Sequence, residues 1–178
     1  MEEKNWLLLM AQGQQLEKVM QTNQYTKQYG LSLSEQDGEL LVQERKNNLK
    51  AQKRIEFGEG ILPKLIFRFC DSPYLFQETY VETIIRLQEI FYLFKNECMD
   101  NLTDDELLTF MRQQYESVCY GDLDYLENTC LERFSKAVRG GYRGFTKSGG
   151  ADEYEELSEE TRWDVELYQS VLKELFWE

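Results

Sequence analysis

The chain has 178 residues, with 33 acidic against 20 basic side chains for a net charge of −13, and is 42% hydrophobic and 13% aromatic. A domain of this length buries roughly 70% of the surface its unfolded form exposes, so a real apolar core is expected. The negative balance opposes counterion-release binding and argues against DNA or anionic membranes as partners. The complete absence of histidine removes the usual general base, the Ser-His and Cys-His pairs, and the commonest zinc, iron and copper ligand.

The opening "MEEKNWLLLMAQ" has acids where a signal peptide needs positive charge, and its apolar run is about five residues, short of the roughly 7–15 required. No later segment approaches about 18 uninterrupted apolar residues. Cys70, Cys98, Cys119 and Cys130 lie far apart without ligand-type spacing, which reads as reduced thiols in a cytoplasm.

Periodicity is helical nearly throughout. Leu16, Val19 and Met20 predict a short first helix over Gln14 to Gln21, following the apolar Trp6 to Met10. After Tyr29-Gly30, "LSLS" reads as extended and ends at Ser34, which forms a capping box with Asp37 and starts a helix over Glu35 to Ala51. "GEG" at residues 58–60 then breaks the chain before a short helix over Ile61 to Cys70, where Pro63 sits in the first turn with no amide bond to lose. The longest element is predicted over Phe76 to Met99, with Phe76, Tyr80, Ile84, Leu87, Phe91, Phe94 and Cys98 along one row and a solvated stripe of Glu78, Glu82, Arg86 and Glu89.

Thr103 with Asp104, Asp105 and Glu106 marks the next helix start, whose inner residues are Leu107, Leu108, Met111, Tyr115, Val118 and Cys119. Asp122 caps another helix, with inner row Leu123, Leu126, Cys130 and Phe134, ending near Arg139. Residues 140–150, "GGYRGFTKSGG", form a glycine-rich connector. Residues 151–178 hold ten acids against Arg162 and Lys173, a net of −8. Trp163, Leu167, Val171 and Leu175 form one helical row there, and Tyr168, Leu172 and Phe176 the adjacent one, which predicts an amphipathic helix.

The expected fold is therefore all-α: a single-domain irregular helical bundle of about six or seven helices around the long helix at about residues 76–99. A core over residues 1–139 is followed by the connector at 140–150 and the acidic C-terminal helix at 151–178.

No segment carries a strong catalytic or metal motif, so no catalytic residue, metal or cofactor is expected. Cys70 sits at a helix C-terminus beside Asp71, and both features disfavour a thiolate, so it is expected buried and unreactive. Ser72-Pro73 suits either an N-cap with proline at the first helical position or a turn with proline second. A small-ligand or anion-binding sensor or enzyme with a pocket near residues 58–74, over Gly58, Gly60, Asp71, Ser72 and Tyr74, is the competing reading, because bare amides at a helix N-terminus attract anions. Arg133, Lys136, Arg139, Arg143 and Lys147, interleaved with Phe134, Tyr142 and Phe145, form the one basic patch, a third and weaker reading as an RNA surface. The favoured reading is a non-catalytic interaction or adaptor protein, self-associating through Trp163, Leu167, Tyr168, Val171, Leu172, Leu175 and Phe176.

Five segments, "YGLSLS", "RIEFGEGILPKLIFRFCDSPYLFQETYVETI", "EIFYLFKNE", "TDDELLTFM" and "CYGDLDYLE", in that order, resemble a family of small uncharacterised, mostly clostridial bacterial proteins known as a domain of unknown function. The resemblance covers Leu16 to Arg139. It implies a bacterial origin but no activity, so it assigns no functional residue. In the family pattern a histidine often stands in place of Tyr120 and a third glycine in place of Glu59, so this chain departs from its relatives at the two positions most suggestive of a site.

Overall fold

A computed structural model describes residues 2–56 and 60–140, with the side chains of residue 10 and of residues from 13 onward. Every described element is helical, which makes the protein all-α. The chain divides into two compact units, residues 1–92 and 93–178, and the boundary falls inside one helix.

In the first unit, α1 (Glu2–Gln21) runs without a break through residues 2–13, where the sequence suggested a helix only from Gln14. Gly13 does not interrupt it, and nothing lies within 4 Å of where its Cβ would be. The short α2 (Asn23–Thr26) and a 3₁₀ turn at Lys27–Tyr29 follow, closed by Gly30 in the left-handed region at φ 76°. The next four residues lie outside any helix and end in an extended Ser34, with Leu31 and Leu33 buried and Ser32 exposed between them.

Among the described residues no strand pairs with this segment, and two side-chain amides take that role. Asn23 donates Nδ2 to the Leu33 carbonyl at 2.8 Å and accepts the Leu33 N–H at Oδ1, also at 2.8 Å. Gln77 treats Ser32 the same way, at 3.0 and 2.8 Å. The part-buried Leu33 backbone would be costly to leave without partners, and Asn23 satisfies it, while Gln77 does the same for the exposed Ser32 backbone.

α3 (Glu35–Ala51) starts on the expected capping box: Ser34 Oγ accepts the Asp37 N–H at 3.1 Å while Asp37 accepts the Ser34 N–H at 3.3 Å. Buried Gly38 admits α1, since a Cβ there would come within 2.7 Å of Met20 Sδ. α4 (Leu62–Phe69) buries Leu62, Pro63, Leu65, Ile66 and Phe69, and leaves Lys64, Phe67 and Arg68 as its outward face.

Between α4 and the long helix the chain turns over Ser72–Leu75. The Leu75 N–H reaches the Ser72 carbonyl at 3.3 Å, and Ser72 Oγ accepts the Tyr74 N–H at 3.2 Å. Of the two arrangements open to Ser72-Pro73, this is the turn with proline second. The long helix consequently starts later than the apolar row suggested. Phe76 is extended and 57% exposed, a 3₁₀ turn spans Gln77–Thr79, and α5 runs over Tyr80–Glu97. Within the first unit it buries Tyr80, Ile84, Leu87, Gln88, Ile90, Phe91 and Tyr92.

The second unit begins in the last turn of α5, where Phe94, Lys95 and Cys98 are buried. Met99 and Asp100 then both take positive φ, 55° and 56°, and bring the chain round. Lys95 organises this bend by donating Nζ to the Leu102 carbonyl and pairing with Asp104 at 2.8 Å. Thr103 and Glu106 form the expected capping box of α6 (Asp104–Ser117), whose buried residues include Leu107, Leu108, Met111 and Tyr115.

Asp122 caps α7 (Leu123–Tyr125) by accepting the Tyr125 N–H at 3.1 Å. What the sequence suggested as one uniform helix is divided: a π-helical stretch, Leu126–Leu131, separates α7 from α8 (Glu132–Arg139). The wider turn sets the inward row as Leu126, Cys130, Phe134 and Val138, and the Phe134 ring stacks on Phe110 at 3.9 Å.

Candidate functional site

Three groupings of side chains stand out, two in the first unit and one in the second. The first surrounds the glycine turn before α4. Glu56 reaches Arg45 Nε on α3 through Oε1 at 2.7 Å and accepts the Tyr92 hydroxyl of α5 on Oε2 at 2.7 Å. The Arg45 and Glu56 side chains are only 14% and 12% exposed. Gly60 borders the carboxylate at φ 70°, and a Cβ on it would lie 2.1 Å from Glu56 Oε1. Glycine is thus required at residue 60 twice over, for its left-handed backbone and for the space.

Both carboxylate oxygens of Glu56 have a donor, and its charge is balanced by Arg45, as a part-buried carboxylate requires. Burial, reinforced by the neighbouring Glu56 charge, pushes the Tyr92 phenol well above the ordinary tyrosine value, so its proton stays in place near neutrality. This arrangement can clasp α3, the approach to α4, and α5 together.

The second grouping lies where the 25–30 turn meets the end of α4. Tyr25 packs edge to face on Tyr29 at 5.8 Å and on Phe67 at 5.4 Å between ring centroids. The three rings are 46%, 42% and 46% exposed, so half of a large aromatic surface faces solvent. A hydrogen bond with Tyr25 is the main cause that pushes the Tyr29 phenol up to about 12, followed by burial and the charges of Tyr25, Asp71 and Cys70. Lys64 lies one helical turn from Phe67 on α4, and Asp71 acts on Tyr29, so charges of both signs lie near the rings.

The third grouping is a pair of thiols. Cys119, just after α6, and Cys130, in the π-helical stretch, bring their sulfurs to 3.6 Å. The hydrogen bond with Cys130 and then burial push the Cys119 thiol up.

The residues singled out from sequence fall as follows. Cys70 is buried at 1% exposure, with Sγ 3.6 Å from the Phe67 carbonyl. Asp71 is exposed, close enough to Tyr29 to affect its proton, and Tyr74 is half-buried. Ser72 is buried and bonded to its own turn, while Gly60 faces the Glu56 carboxylate. The space above Gly60 that an anion would use therefore holds a carboxylate of the chain itself.

Gly58 lies outside the described residues, as do Trp163, Leu167, Tyr168, Val171, Leu172, Leu175 and Phe176. Of the basic patch, Lys136 pairs with Glu132 at 3.5 Å and Arg139 with Glu97 at 3.0 Å; Arg143 and Lys147 lie outside the described residues. Among the described residues, no group of three or more Cys, Asp or Glu side chains could hold a metal ion, and no helix is long and apolar enough to cross a membrane.

Sequence reasoning missed all three groupings. Arg45, Glu56 and Tyr92 are brought together across 11 and 36 residues, and no local spacing signals that. The aromatic cluster had a partial signal in Tyr25 and Tyr29, four residues apart on helical backbone. Cys119 and Cys130 each looked like core residues on their own helices, and only the three-dimensional arrangement pairs them.

No curated protein and no solved structure matches the chain. A model of a family of unknown function (DUF6323) matches residues 18–144, close to the span of the resemblance read in the sequence. That match covers well over half of the chain, and the chain accordingly belongs to this family of unknown function.

Proposed function

We propose that the protein is a non-catalytic cytoplasmic interaction protein that associates with copies of itself. The observation that carries this reading is the aromatic cluster of Tyr25, Tyr29 and Phe67, held edge to face yet 42–46% exposed. Rigid aromatic rings lose little conformational freedom on binding and dominate contact surfaces. Lys64 lies one helical turn from Phe67 on α4, and residues 151–178 are strongly acidic and rich in aromatics. Charge and apolar character are thus complementary, and the acidic segment of a second copy is the occupant we assign to the cluster.

The four cysteines are spaced without a disulfide-framework pattern, which supports a reducing compartment. The chemistry-bearing groups of the first unit also support a binding role, since Glu56, Arg45 and Tyr92 satisfy one another.

The test is sedimentation velocity on the full chain, on a chain ending at residue 150, and on a Phe67→Ser variant. The full chain should be a dimer or larger that dissociates on dilution, and both variants should be monomers. If the three have the same mass at every concentration, the reading fails.

A further inference from the structure

We infer that Cys119 and Cys130 form a reversible oxidation site, closing to an intramolecular disulfide when hydrogen peroxide reaches them. The two sulfurs already touch at 3.6 Å and need to approach by only about 1.5 Å to bond. Their surroundings give way without repacking a long helix. Cys119 leads directly into Tyr120 and Gly121, both at positive φ, 49° and 86°, a turn held by the Gly121 N–H on the Tyr115 carbonyl and the Asp122 N–H on the Cys119 carbonyl. Cys130 sits in the π-helical stretch Leu126–Leu131, whose wide turns adjust more readily than an α-helix.

Access separates this pair from the other two thiols. Cys119 and Cys130 are 6% and 8% exposed, whereas Cys98 and Cys70 are at 0% and 1%.

The chemistry balances in two steps. One thiol, reacting as its thiolate, takes an oxygen atom from peroxide to become a sulfenic acid, and one water leaves. The partner sulfur then attacks the sulfenic sulfur, the S–S bond forms, and the second water leaves with the partner's proton. Overall two thiols and one peroxide give one disulfide and two waters; a thiol reductant returns both S–H groups by exchange. The hydrogen bond between the thiols and their burial keep Cys119 protonated, so the first step is slow and responds to sustained oxidant.

The test treats the folded full chain with hydrogen peroxide, blocks remaining thiols with N-ethylmaleimide after unfolding, and maps peptides by mass spectrometry. The expected result is a chain lighter by about 2 Da before blocking and, after it, a Cys119–Cys130 linked peptide with Cys70 and Cys98 unoxidised and carrying maleimide. Dithiothreitol should restore four blockable thiols. Cys119→Ser should lose the link without creating a new intramolecular one, and Cys119→Ala serves if the serine variant does not fold. The inference is overturned if oxidation proceeds to sulfinic acid without the link. Links between chains, or equal loss of all four thiols, overturn it as well.

Discussion

Gly60 tests the structural reading of the glycine turn against the ligand-pocket reading. In Gly60→Ala the new Cβ would meet Glu56 Oε1 at 2.1 Å, while the backbone remains at φ 70°. The backbone term costs about 1–2 kcal/mol for a residue with a Cβ in the left-handed region. The carboxylate is the far end of a flexible side chain and can swing away, but only by giving up Arg45 at 2.7 Å and Tyr92 at 2.7 Å.

Hydrogen bonds to charged groups contribute roughly 1.5–3 kcal/mol, and a part-buried Arg45 left alone adds to the loss. The expected destabilisation is therefore about 4 kcal/mol, or some 8–16 °C in Tm for a chain of this size. Urea unfolding followed by far-UV circular dichroism measures it. The decisive comparison is Gly60→Ala in a Glu56→Ala background, where the backbone term and a close approach to Arg45 Nε at 3.1 Å remain and the cost should fall to about 2 kcal/mol. Equal costs in the two backgrounds, within about 0.5 kcal/mol, refute the reasoning.

Burial raises the phenols of Tyr80, Tyr92 and Tyr115, so both folded and unfolded chains hold these protons below about pH 10, and above it the unfolded chain releases them first. Stability should fall as pH rises past about 10, by up to about 1.4 kcal/mol per pH unit for each phenol, and Tyr92→Phe should make the fall shallower; an identical profile for that variant contradicts the account. Gln88 is fully buried with no hydrogen-bond partner for either amide atom among the described residues. Gln88→Met should therefore raise stability by about 1–2 kcal/mol in the same assay, and a loss would show that the amide has a partner. Asn23→Ala removes both bonds to Leu33 and should cost about 2 kcal/mol; it should also speed hydrogen exchange at Leu33, and unchanged exchange there would speak against the amide bracket.

Helix starts were legible because their signals are local. Ser34 with Asp37, Thr103 with Glu106, and Asp122 each announce a cap within three residues, and each cap is present. The α1 start was not legible, because Gly13 and its glutamine neighbours interrupt the apolar pattern while the backbone continues through them. Phe76 fits the row of the long helix by spacing, but the Ser72–Leu75 turn and the Gln77 bracket on Ser32 hold residues 76–79 outside it. That bracket spans 45 residues, and no periodicity encodes it. The same holds for Arg45, Glu56 and Tyr92 and for the thiol pair. Their residue types were visible, but their meeting depends on how helices pack. Apolar burial was readable at Cys70, where the row through Ile66 continues into a thiol at 1% exposure.

Hydrogen exchange as a function of protein concentration tests the proposed self-association most directly. The account predicts that amides of residues 22–30 and 64–70, around Tyr25, Tyr29 and Phe67, gain protection as concentration rises, and that a chain ending at residue 150 loses this dependence. Protection that is the same at every concentration in the full chain would contradict it.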